Sequence, residues 1–276
     1  MRVPLIQIDA FADALFAGNP AAVMPLGQWP ADRLLQQVAT ENNLSETAFL
    51  VPELPAQATA PDAGQPAYAL RWFTPAIEVD LCGHATLAAA SYLFADVHPT
   101  AERLQFWTRS GWLHVTQEAD GELTLDFPAE QSLPVDVDPI LEQALGAPVW
   151  QSLQGSDLIC VLDSAETVRR LAPDHHLLSR LQVRGVVVTS AGEGTDFDFV
   201  SRYFGVLAGV AEDPVTGSAH TQLVPLWAQW LGKTTLTAGQ LSARGGTLRC
   251  RIAGDRVLLS GRCHRYLEGF ASIPTW

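Results

Sequence analysis

The chain has 276 residues, of which 47% are hydrophobic and 17% charged, enough apolar content for one large core or two moderate ones. Its 17 Lys and Arg against 30 Asp and Glu give a formal charge of -13, which repels phosphate backbones and anionic lipid, so neither nucleic acid nor a membrane is an expected partner. Cys82, Cys160, Cys250 and Cys263 stand far apart without a CxxC pair, which argues for reduced, buried thiols and against a zinc centre or a disulfide framework.

The opening run, Met1 to Asp9, is broken by Gln7 and Asp9 and reads as a strand over 5–11 rather than a secretory leader. No stretch reaches the ~20 apolar residues of a membrane span. A cytoplasmic location is therefore expected. Ala17-Gly-Asn-Pro20 signals a turn, and Pro30 opens a helix with Leu34, Leu35 and Val38 on one face that ends near Asn42-Asn43. Ser45 to Val51 reads as a strand entered from a turn, 52–66 as an exposed loop, and Tyr68–Phe73 as a strand stopped by Thr74-Pro75. A helix follows from Asp80-Leu-Cys-Gly-His84 to Phe94. It is apolar on nearly every side and must be enclosed by other structure. Strands are expected over 104–109 and 112–117, and Ala119-Asp-Gly121 turns into Leu123–Phe127. The proline-rich stretch 128–139 reads as a linker.

Beyond it, a helix is expected over 139–146 and strands near 156–162, 185–190 and 197–204. A second enclosed helix runs from Asp213-Pro-Val-Thr-Gly-Ser218 to Leu231. A hairpin then turns at Ala253-Gly-Asp255, and Tyr266–Ile273 alternates like a closing strand. Arg71-Trp-Phe73 precedes Gly83-His-Ala85 much as Arg202-Tyr-Phe204 precedes Gly217-Ser-Ala219, a hint of two copies of one sheet-and-helix unit.

Both enclosed helices begin with Gly beside a polar residue, Gly83-His84 and Gly217-Ser218. Gly permits close approach to the backbone, and the first amides of a helix have no internal acceptor, so such starts can hold a carboxylate. Capping by Asp213, Thr216 or Ser218 is the plainer alternative. Glu46, between a turn and an apolar strand, is placed to be partly desolvated and to move a proton. It could equally be a solvated strand-start residue. Asp213 carries the same two readings. His84 is either an acid/base group or a satisfied core histidine, His220 is core or helix surface, and His175-His176 is surface. No G-x-S-x-G, Walker loop or G-x-G-x-x-G is present.

Five segments occur in order: Phe16-Ala-Gly-Asn-Pro20-Ala-Ala-Val23, Asn43-Leu-Ser-Glu-Thr-Ala-Phe49, Arg71-Trp-Phe-Thr-Pro75, Leu81-Cys-Gly-His-Ala-Thr86 and Glu212-Asp-Pro-Val-Thr-Gly-Ser-Ala219. Together they resemble the PhzF-like phenazine-biosynthesis isomerases of the diaminopimelate epimerase superfamily. The resemblance implies an α+β fold (an α/β roll) of two similar domains, each a curved, mostly antiparallel sheet wrapped around a central helix. The domains are expected at 1–127 plus 262–276 and at 128–261, with the active site in the cleft between them. It also implies a homodimer and no cofactor; no metal is expected, given the scattered cysteines. The Glu of the second segment maps to Glu46 as catalytic acid/base, with His84 and Asp213 as further catalytic residues. Ser45, Gly83, Gly217 and Ser218 become substrate contacts. The named reaction of the family moves a proton within the ring of dihydro-hydroxyanthranilate, whereas racemases of the superfamily use two cysteines. Glu46 and Asp213 stand where the resemblance puts that pair. Cys82 beside Gly83 departs from the phenazine enzyme's motif.

The expected function is thus proton transfer within a small carboxylate-bearing substrate. A cofactor-independent amino-acid racemase or epimerase is the alternative enzyme, with Cys82 as its only thiol candidate near Glu46. A catalytically idle binding protein on the same scaffold is the contrasting class.

Overall fold

The N-terminal run forms a strand, Arg2–Ala10, buried on both faces: Val3 packs in the same core as Leu35 and Phe49, and Ile6 and Ile8 are buried on the other face. In the computed structural model, residues 1–206 and 210–275 are described. The chain divides into two units, Met1–Asp126 with Ser260–Trp276, and Phe127–Leu259.

In the first unit, Cys263–Ser272 pairs antiparallel with Arg2–Ala10, which pairs antiparallel with Asn19–Pro25. Asn19–Pro25 runs parallel to Glu46–Val51, which is antiparallel to Ala67–Phe73. Ala67–Phe73 runs parallel to Arg103–Thr108, and that strand is antiparallel to Gly111–Gln117. The helix Asp32–Asn42 makes the first parallel crossover, and the helix Gly83–Tyr92 makes the second. Every residue from Gly83 to Ala90 is buried, as its lack of a polar face requires. A π-helical turn, Leu93–Val97, extends it. Leu35, Val38 and Ala39 of the first helix pack with Met24, Phe49, Val51 and Phe73 in a second layer of core.

The second unit repeats this scheme pairing by pairing. Leu133–Val135 is antiparallel to Gln151–Gln154, which is antiparallel to Leu158–Val161. Leu158–Val161 runs parallel to Val186–Ala191, which is antiparallel to Phe199–Gly205. Phe199–Gly205 runs parallel to Thr235–Gln240, itself antiparallel to Gly246–Ala253. The short helices Ala165–Arg170 and His175–Leu178 lie in the first crossover and the helix Gly217–Leu231 in the second. The arrangement is α+β, with the polar-poor helix of each unit serving the same topological place.

Three sequence expectations are revised. The stretch 128–139 is not a bare linker: Leu133–Val135 is a strand, exposed throughout, where a proline is tolerated. Gln151–Gln154 and Thr235–Gln240 were not expected as strands, since neither carries a clean apolar alternation. The helix Asp174-capped at His175 was read only as polar surface; its Asp174 carboxylate accepts from the amides of His176 and Leu177.

Pro225 lies inside the helix Gly217–Leu231 and removes one amide from its ladder. The carbonyl that this frees, Thr221 O, accepts instead from the Glu130 amide at 3.1 Å. The helix continues because the lost bond is replaced from outside it.

Candidate active site

Backbone geometry at three short segments sets the site of the first unit. Gly18 has φ +67, and a Cβ there would fall 2.3 Å from the Ala10 carbonyl oxygen, so only glycine fits. It delivers Asn19, fully buried, as the first residue of its strand. Asn43 ends the helix Asp32–Asn42 in the left-handed conformation at φ 48, with its amide on Ala39 O. Two residues later the chain turns into the strand that begins at Glu46. The parallel register sets Ala21 opposite Glu46, which brings Asn19 and Glu46 to the same end of their strands. The Asn42 amide donates to the Thr47 hydroxyl at 3.0 Å and ties the helix end to that strand.

The third segment is the start of Gly83–Tyr92. Cys82, extended at φ -147, precedes it, and no side chain caps the helix. The amides of Gly83 and His84 are thus left without a capping side chain, while the Cys82 sulfur faces the Ala85 amide. His84 Nε2 lies 3.0 Å from Glu46 Oε2. Its Nδ1 lies 3.2 Å from Asn19 Nδ2 and 3.6 Å from Cys82 Sγ. Because an amide NH2 can only donate, Nδ1 is the acceptor and Nε2 carries the hydrogen facing Glu46. The Nε2 and Oε2 atoms are at ion-pair distance without the alignment of a hydrogen bond, and neither has another hydrogen-bond partner among the described residues. The His84 side chain is 4% exposed and that of Glu46 17%, so the carboxylate is the member of the pair that reaches solvent.

Burial disfavours charge on His84, but the Glu46 carboxylate beside Nε2 opposes it and raises the ring above its ordinary pKa. Burial, then the charge of Glu46, pushes the Cys82 thiol up to about 11. The sulfur therefore keeps its proton at neutral pH. Glu46 is left as the anionic neighbour that favours a proton on His84. The arrangement can pass a proton to and from a group bound beside Glu46, with the imidazole as hydrogen-bond donor behind it.

In the second unit, Asp213 accepts from the Thr216 hydroxyl at 2.5 Å. Gln240 braces this turn: its Oε1 accepts from the Thr216 amide at 2.9 Å, and its Nε2 donates to Asp213 O at 2.8 Å and to Thr216 Oγ1 at 3.1 Å. Thr216 precedes Gly217–Leu231 as its N-cap, again without a side-chain cap. Gly217 is buried and Ser218 half-buried at that start. His220 is core: its Nδ1 donates to Thr216 O at 2.8 Å, its ring faces Phe199, and burial pushes its pKa down to about 4.

Of the residues expected from sequence, Glu46, Gly83 and His84 lie together in the first unit, with Ser45 half-buried in the turn before Glu46. Asp213, Gly217 and Ser218 gather at one helix start of the second. Two residues were missed. Asn19, read only as part of a turn signal, sets the imidazole's tautomer, and Gln240 braces the Asp213 turn. The Gly-Asn-Pro signal could have pointed to Asn19, whereas nothing around Gln240 distinguishes it.

The profile of phenazine biosynthesis-like proteins matches residues 8–269. An uncharacterized isomerase of Pseudomonas aeruginosa is 49% identical over 98% of this chain and 98% of its own. A crystal structure of a phenazine biosynthesis protein of the PhzF family from Enterococcus faecalis superposes with a TM-score of 0.91 at 43% identity, covering 99% of this chain and 100% of that one. A hydroxyproline epimerase from Agrobacterium vitis shares the fold at a TM-score of 0.61 and 12% identity, over 98% and 92% of the two chains. With a family profile, a fold and relatives that agree over nearly its whole length, this chain belongs to the PhzF family of phenazine biosynthesis-like isomerases.

Proposed function

We propose that the protein moves a proton within a small carboxylate-bearing substrate, with Glu46 as the general acid/base and no cofactor. The observation that carries this reading is the Glu46–His84 contact of 3.0 Å, in which an otherwise buried imidazole backs a carboxylate that still reaches solvent. Glu46 takes a proton from one carbon of the substrate and returns it to another, so the carboxylate ends the cycle as it began. His84, its Nδ1 held by the Asn19 amide, donates from Nε2 toward Glu46 and stabilises the charge that builds up as the proton leaves. The uncapped amides at Gly83 and His84 suit a substrate carboxylate. Those at Gly217 and Ser218, with Asp213 as a second proton-handling group, are assigned the corresponding role in the second unit.

A two-thiol racemase fits less well. Cys82, the cysteine beside Glu46, is pushed up to about 11 and makes a poor base near neutrality. The second helix start carries Asp213 rather than a thiol.

The experiment is a screen of cyclic and amino carboxylic acids for deuterium uptake from heavy water. A substrate of this enzyme incorporates deuterium at a carbon position only in its presence. A complete panel without enzyme-dependent uptake would favour the idle binding scaffold.

A further inference from the structure

The cluster around His84 holds more donor chemistry than proton transfer uses. One ligand atom each from Glu46, Cys82 and His84 lies within 4.8 Å of the others. A carboxylate oxygen, an imidazole nitrogen and a thiolate sulfur together suit a borderline-soft divalent ion better than magnesium or calcium. In a tetrahedral zinc site, metal–ligand lengths of about 2.0–2.3 Å set donor atoms about 3.3–3.8 Å apart. Glu46 Oε2 already lies 3.0 Å from Nε2, and Cys82 Sγ, 3.6 Å from Nδ1, turns toward Nε2 to complete the triad. Independently, His84 Nε2 and Glu46 Oε2 are buried polar atoms that face each other at 3.0 Å without the alignment of a hydrogen bond and, among the described residues, make no other one. Unsatisfied buried groups of this kind call for a ligand or ion.

We propose that Glu46, Cys82 and His84 form a site for a thiophilic divalent cation of the zinc type, and that the bound ion inhibits the enzyme. The ion takes the place of the Cys82 thiol proton, and the imidazole hydrogen moves from Nε2 to Nδ1, which frees Nε2 to bind the ion. Rotation of the Asn19 amide turns Oδ1 toward that hydrogen as the outer acceptor that histidine ligands use. The fourth position stays open to water or a substrate carboxylate. Inhibition rests on the proposed role of Glu46, whose lone pair the ion occupies; the binding site itself does not. Cysteine spacing could not reveal this site because its three donors come from one strand start and one helix start.

The test uses the full chain, freed of metal by chelation and titrated with Co2+. The expected result is one ion per chain with a thiolate-to-cobalt absorption in the near ultraviolet, displaced by Zn2+. Cys82→Ser and His84→Gln, checked for folding by circular dichroism, should each weaken binding by at least about tenfold. Cys263→Ser, a thiol outside the triad, should leave the band unchanged. A missing band, or one that survives in Cys82→Ser, overturns the site and leaves the Glu46 reading untouched. With a substrate from the deuterium screen, Zn2+ should suppress exchange and a chelator restore it. Exchange that Zn2+ leaves unchanged overturns the inhibition. Exchange that requires Zn2+ overturns the cofactor-free reading as well.

Discussion

Asn19 does its work with one amide: by donating to Nδ1 of His84 it leaves Nε2–H for Glu46. Its position depends on Gly18. Gly18→Ala should cost roughly 3 kcal/mol, since alanine meets both the positive φ and the Ala10 carbonyl. Urea unfolding measures it, and a loss below about 0.5 kcal/mol would show that the loop rearranges freely. His220 supplies a pH-dependent counterpart. Its folded pKa of about 4 lies below the ordinary 6.5, so between these values the unfolded chain binds more protons. Its contribution is complete above about pH 6.5 and is lost as pH falls toward 4, by up to about 3 kcal/mol. In His220→Gln, the acid limb of stability against pH should flatten over that window. An unchanged limb would assign acid unfolding to other groups.

At the scale of elements, the same small device recurs in both units. Arg71 pairs with Glu78 through two bonds of 2.7 Å, and its guanidinium lies 5.2 Å from the Phe73 ring. Arg202 pairs with Glu212 at 2.6 and 3.0 Å and lies 5.2 Å from Phe204. Each device sits on the strand before an enclosed helix and pins the short strand that leads to the helix start, Glu78–Val79 or Val210–Asp213. Arg202 also donates to Leu171 O at 2.7 Å, so it is the more deeply tied of the two. Arg202→Met should destabilise by about 3 kcal/mol, because Glu212 and a buried carbonyl lose their partner together. If thermal unfolding instead showed no loss, the pair would be ornamental to the fold. The helices themselves were legible from sequence, since a segment without a polar face has only one place to go. The uncapped state of their starts was not, because Thr216 and Ser218 are residue types that usually cap, and only the Gln240 brace shows why Thr216 does not.

Across the whole molecule, the duplicated order of parallel and antiparallel pairings was foreshadowed only by two short Arg-aromatic-Phe echoes. The strands that complete each copy, Leu133–Val135, Gln151–Gln154 and Thr235–Gln240, are short, polar or proline-bearing, and their pairing comes from long-range register rather than local pattern. The candidate site divides in the same way. Glu46 and His84 could be named from their motifs, but their contact depends on a parallel pairing between chain segments that periodicity cannot match up. Cys82 was legible as a departure from the motif and became interpretable only beside the other two donors.

The central claim is that Glu46 moves the proton, and single-turnover deuterium exchange on two variants tests it most directly. Glu46→Gln keeps the shape of the side chain but cannot take a proton at neutral pH, so exchange should fall by at least ~10²–10⁴-fold with thermal stability nearly unchanged. Ligand affinity should hold or improve, because a neutral side chain no longer repels an anion. In Cys82→Ser, exchange should persist. Exchange that survives in Glu46→Gln and disappears in Cys82→Ser would contradict the account and make the thiol the acid/base group.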